Sequence, residues 1–162
     1  MLILNQNAAE LREKKYGKAQ LGKCGCEAIA AYNALEFLGI GVSFDEVISA
    51  FENRFSRGGG FLAGGRLGAT PADITAFLRS RGLKPKGGRL GKMQSIKEPG
   101  IFILSYWNKP FTKGIHTVAI DFDGEKYTAA NYLVKLCTKG DLTDFLPDKK
   151  HYFYCTYIPK KQ

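Results

Sequence analysis

The sequence predicts an α+β fold, with N-terminal helices packed against a C-terminal antiparallel sheet. Up to Gly82, apolar residues recur at helical spacing between capping signals. From Pro99 they fall into short runs and alternations, and the strong turn pair Asp123-Gly124 splits two of them. No repeat, low-complexity segment or linker interrupts the 162 residues, so residues 1–162 are read as a single domain with a sizeable core.

Asn7 to Lys15 suggests a short polar helix packing through Ala8, Ala9 and Leu11. Gly22 and Gly25 then punctuate a loop that carries Cys24 and Cys26, and no Gly or Pro follows until Gly39. Within that run Ala28, Ala31, Tyr32, Leu35 and Leu38 form one apolar stripe, and Gly39 stands where a C-terminal cap is expected. Ser43 with Glu46 is a capping box opening a helix to about Phe55, with Phe44, Val47, Ile48 and Phe51 on its apolar face. Arg57 to Gly68 is rich in glycine, but no Gly-Lys-Ser/Thr follows, so it is not a phosphate loop. It reads as a surface loop; a flap beside a cleft, touching substrate through Phe61 and Leu62, is the functional alternative. Thr70-Pro71-Ala72-Asp73 starts another helix, carrying Ile74, Phe77 and Leu78 inward and ending at Gly82. A basic stretch without assigned structure runs on to Gly91.

Ile101 to Leu104 is a buried strand entering Tyr106-Trp107, and residues 108–114 are a loop. Ile115 to Phe122 is a strand, and Glu125 to Tyr132 returns antiparallel after the turn. Val134 to Cys137 extends that strand or forms another, Lys139 to Pro147 holds a short helix or turn, and His151 to Ile158 closes the sheet.

Composition removes several function classes. Met1 to Lys18 holds only a four-residue apolar run, so no signal peptide or membrane-spanning segment is read, no membrane partner is expected, and a reducing cytoplasm is the expected location. The four cysteines are unevenly spaced, which suits neither a disulfide framework nor a zinc site; four reducible thiols and no metal or cofactor are expected. The net charge of +9 is spread along the chain without a nucleic-acid-binding motif, and reads as a solvated basic surface rather than a nucleic-acid site. It is compatible with acidic substrates or partners.

Catalytic chemistry is suggested by a few residues. Cys26 falls at the first turn of a helix, where unpaired N–H groups and the helix dipole favour a thiolate. Gln20 lies six residues earlier, so its amide and the Cys26 N–H could together donate to an oxyanion. The chain has two histidines: His151 begins the last strand, and His116 begins an apolar strand two residues after Gly114. If the hairpin turn centres between Asp123 and Gly124, His116 stands directly opposite Asn131, with Cβ atoms about 4.5–5.5 Å apart. The Asn131 side-chain oxygen would then hold one imidazole nitrogen and leave the other for a thiol.

These segments resemble papain-like cysteine peptidases. Gln20-Leu21-Gly22-Lys23-Cys24-Gly25-Cys26 is similar to the papain-type Gln…Cys-Gly-x-Cys segment, and Glu27-Ala28-Ile29-Ala30-Ala31 to its Trp-Ala-Phe-Ser-Ala continuation, with Glu27 replacing the aromatic. The same Gln-to-Cys spacing recurs in the bacteriocin-processing peptidase domains of ABC transporters. Gly114 to Ile120 resembles the His-x-Val strand, and the order Cys, His, Asn is that of the papain group. The short interval from Cys26 to His116 favours the compact bacterial form. The resemblance implies a papain-like cysteine hydrolase, a peptidase acting on a peptide or protein, with Cys26, His116, Asn131 and Gln20 as its catalytic residues. Cys24, followed by Gly25, is a rival nucleophile. The same residues could instead serve acyl transfer or glutamine deamidation, and Glu27 and Cys24 leave a catalytically silent binding module as a third reading.

Overall fold

The computed structural model describes residues 1–55, 68–108, 114–146 and 152–160. The expected flap residues Phe61 and Leu62, most of the 108–114 loop and His151 lie outside the described residues.

The chain opens with an extended segment and a single helical turn, α1 (Ala9–Arg12). A two-residue hairpin follows, β1 (Lys15–Tyr16) and β2 (Ala19–Gln20), turning at Gly17 with φ 59°. Strands this short leave no alternation in the sequence, and Lys15, expected at the end of a helix over Asn7 to Lys15, instead begins β1. Next come α2 (Leu21–Cys24), α3 (Cys26–Phe37), α4 (Phe44–Phe55) and α5 (Pro71–Ser80). The predicted helix starts are present: the Ser43 hydroxyl accepts from the Glu46 N–H, and Thr70 and Asp73 form a reciprocal capping box. Gly39, at φ 70°, ends α3; its N–H bonds the Glu36 carbonyl, and the Ile40 N–H bonds that of Leu35.

In one respect α3 differs from expectation. It is not striped: every residue from Cys26 to Leu35 is buried, on all sides. The helix packs against β4, β5 and β6 of the sheet and also against α4 and α5. Its alanines 28, 30, 31 and 34 let those neighbours approach closely, so small side chains rather than a polar face fill its outer positions.

The sheet has six antiparallel strands in the order β3-β8-β4-β5-β6-β7. They are β3 (Lys86–Gly88), β4 (Gly100–Trp107), β5 (Ile115–Phe122), β6 (Tyr127–Tyr132), β7 (Lys135–Lys139) and β8 (Tyr152–Pro159). The last strand lies inside the sheet, between β3 and β4. The short helix α6 (Leu90–Met93) precedes β4, and a 3-10 turn spans Leu142–Phe145. One sheet face, with Ile101, Ile103, Ala119 and Ile158, joins the core built on α3. The other carries Phe102, Leu104, Val118, Ile120 and Tyr157 beneath Met93, Leu142 and Phe145. Fully buried Phe102 sits at its centre, with the rings of Phe122, Tyr127 and Tyr157 at 6.2, 5.8 and 5.0 Å. Burial of each such side chain stabilises the fold by about 1.5–3 kcal/mol.

The β5–β6 register departs from the predicted one. Phe122 pairs with Tyr127 and Ala119 with Ala130, two residues away from the alignment that puts His116 opposite Asn131. The cause is the turn. The Asp123 carboxylate accepts from the N–H groups of both Glu125 and Lys126, at 2.8 Å each, and so winds a longer loop than two residues. A slip of two keeps each side chain on its original face. Pairing stops at Ala130, and Asn131 turns into the left-handed region at φ 59°. Among the described residues no helix is long and apolar enough to cross a membrane.

Candidate active site

Gly25 makes the junction that presents Cys26. It ends α2 through its N–H bond to the Leu21 carbonyl, and its own carbonyl accepts from Ile29 to begin α3. A Cβ here would lie 2.5 Å from Leu21 Cδ1, so only glycine permits this tight passage between helices. Cys26 becomes the first residue of α3. Its sulfur lies 3.9 Å from the Ile115 carbonyl oxygen, against the peptide that joins Ile115 to His116. Thr117 adds hydrogen bonds to the sulfur, and its hydroxyl meets that of Ser105 at 3.0 Å.

His116 occupies the neighbouring position on β5, pairing with Tyr106 of β4. The two rings meet edge to face at 5.8 Å. Nε2 lies 3.0 Å from the main-chain carbonyl of Asn131. A carbonyl only accepts, so Nε2 carries the hydrogen and Nδ1 holds the basic lone pair. The imidazole is therefore oriented by Asn131, but through its backbone rather than its amide. Burial lowers the His116 pKa, opposed by the Asn131 carbonyl. The Asn131 side chain instead binds Gln6: Oδ1 accepts from the Gln6 N–H at 3.2 Å, and Nδ2 donates to Gln6 Oε1 at 3.4 Å. Gln6 Nε2 reaches across to the Gly22 carbonyl in α2, at 2.9 Å. The N-terminal segment thus ties the cysteine loop to the end of β6. It is anchored in turn on α3, where Asn33 exchanges two 2.8 Å bonds with the Ile3 backbone.

The thiol's own hydrogen bond differs from expectation. Cys26 S–H donates to Glu27 Oε2 at 3.3 Å, and among the described residues no hydrogen bond joins Cys26 to His116. Glu27 is only 5% exposed, and its carboxylate packs against the Cα of Gly68, where a Cβ would come within 2.7 Å of Oε2. The Ala69 backbone also bonds it. Burial raises the Glu27 pKa to about 7. Burial, reinforced by Glu27, pushes the Cys26 thiol well up rather than down. The helix N-terminus, worth about 0.3–1 kcal/mol, does not outweigh these effects.

Cys24 is placed differently. It packs in the helical core, with its S–H directed back to the Gln20 carbonyl at 3.5 Å, and burial pushes its pKa to about 11. Gln20 ends β2 at the N-cap position of α2, but its amide donates to the Glu13 carboxylate, and among the described residues no hydrogen bond joins it to Cys26. It lines an open cleft of about 840 Å³ with Glu13, Lys15, Lys18 and Lys23.

Sequence reasoning missed Glu27 and Gln6 as parts of this site. A glutamate inside an otherwise apolar helix start was a signal for the first; nothing local marks the second, whose partners are distant in sequence.

No protein-family model matches the chain, and no curated protein is similar to it. The α+β fold, with helices packed on an antiparallel sheet, is shared with a protein of solved structure. A double glycine motif protease from an AMS/PCAT transporter, crystallised in complex with the leader peptide, superposes with a TM-score of 0.54 at 17% identity, covering 83% of this chain and 84% of that one.

Proposed function

We propose that the protein is a cysteine peptidase of the papain type, with Cys26 as nucleophile and His116 as its base. The observation that carries this reading is the position of the Cys26 sulfur, at the start of a buried helix and against the peptide leading into His116, in a fold shared with a protease. In the first step His116 Nδ1 takes the thiol proton and the sulfur attacks the peptide carbonyl carbon. The Cys26 N–H, at the helix N-terminus, donates to the oxyanion. His116 then protonates the leaving amine, and water hydrolyses the thioester. Asn131 holds His116 by its carbonyl throughout. Gln20 completes the oxyanion site once its amide leaves Glu13 for the substrate. The substrate is a peptide or protein, and Lys15, Lys18 and Lys23 along the cleft that Gln20 lines favour acidic side chains.

A silent binding module is the second reading, favoured by the Cys26–Glu27 bond. Incubation with a peptide library, read by mass spectrometry, separates the two. Cleavage lost in Cys26→Ala and in His116→Ala, each by at least ~10²-fold, supports the peptidase; no cleavage by the wild type, or cleavage surviving both substitutions, contradicts it. Amide loss from glutamine without backbone cleavage would assign the deamidase.

A further inference from the structure

The carboxyl of Glu27 is held in place from several directions. It sits one residue from the nucleophile on α3, accepts the Cys26 S–H at 3.3 Å, bonds the Ala69 backbone and closes against Gly68. The titratable groups that it acts on are Cys26, Cys24 of α2 and Tyr16 of β1; Lys23 of α2 faces Cys24, and Asp73 of α5 faces Tyr16. Most of these are neutral or acidic, and burial pushes the hydroxyl of Tyr16 strongly up, reinforced by Glu27 and the two cysteines.

We propose that Glu27 is a positioning residue for the nucleophile: its carboxylate holds the Cys26 hydrogen in the resting protein, keeping the sulfur protonated and unengaged with His116. The proposal rests on the reading of Cys26 as nucleophile. The balance is simple. With Glu27 ionised, moving the thiol proton to His116 Nδ1 leaves a thiolate beside a carboxylate in a buried site, which is opposed. With Glu27 protonated, the same transfer leaves a thiolate that accepts a hydrogen bond from the carboxyl O–H, which is favoured. A side chain at position 27 that is neutral and donates therefore releases the nucleophile.

Alkylation of Cys26 by iodoacetamide, located by peptide mass spectrometry across pH 6–9, tests this without requiring any hydrolytic activity. Glu27→Gln keeps the size and supplies an N–H donor. Its Cys26 should alkylate at least about tenfold faster than wild type at neutral pH, a fall of one unit or more in thiol pKa. An unchanged rate would make Glu27 merely structural, and a slower one would make it a general base; either overturns the proposal. If Glu27→Gln does not fold, the wild-type Glu27 carboxyl is followed by carbon NMR. Its midpoint should rise in Cys26→Ala, where the S–H donor is gone, and an unmoved midpoint overturns the proposal equally. Should alkylation respond as expected while no peptide is cleaved, the coupling stands and the peptidase reading fails by itself.

Discussion

Replacing Glu27 with Gln should change how stability depends on pH. The folded-state pKa of Glu27 is raised from 4.5 to about 7 by burial. Between those values the folded protein retains a proton that the unfolded chain has lost, so unfolding releases that proton and stability falls as pH rises. Each unit corresponds to 1.36 kcal/mol, so wild type should lose about 3 kcal/mol across this window, relative to Glu27→Gln. His116 acts in the opposite sense, because its lowered pKa makes the folded state bind fewer protons as pH falls through 6.5. That contribution is common to both proteins and cancels in their difference. The stabilising shift of Asp123 is lost only at lower pH, near the ordinary carboxylate range. Urea denaturation followed by circular dichroism at pH 4.5 to 7.5 reads the effect. Parallel stability curves for the two proteins would refute the claim that Glu27 is buried and proton-binding in the native state.

Gly68→Ala places a Cβ 2.7 Å from Glu27 Oε2 at a φ of +74°; left-handed strain alone costs roughly 1–2 kcal/mol, and a urea midpoint unchanged from wild type would contradict the close packing. Asn131→Ala keeps the carbonyl that holds His116 but cuts the Gln6 tether, so peptide cleavage should fall far less than in His116→Ala; equal losses in kcat/KM would return the orienting role to the amide.

Much of this architecture was written locally. The capping residues Ser43 and Thr70, the Gly39 terminator and the Ile115–Phe122 run each specify their element through contacts a few residues apart. What could not be read depended on competition between neighbours. Asp123 signalled a turn, but whether its carboxylate would wind two residues or more was settled by bonds to Glu125 and Lys126. The β6–β7 turn is made by Leu133 and Val134 at φ 51° and 56°, residues that ordinarily avoid such angles, so no turn residue announced it. Cys26 shows the same limit at the site. Its place at a helix start was legible, but the sign of its pKa shift was decided by burial and Glu27, which depend on the complete tertiary structure.

The central claim is that the sulfur of Cys26, served by His116, is the group that attacks substrate. A peptide vinyl sulfone at neutral pH, with the modified residue identified by mass spectrometry, tests it most directly. The account predicts one adduct, on Cys26, formed at an undiminished level in Cys24→Ala, absent in Cys26→Ala and strongly slowed in His116→Ala. Modification of Cys24 in the wild type, or an adduct on Cys26 that forms as fast without His116, would contradict it.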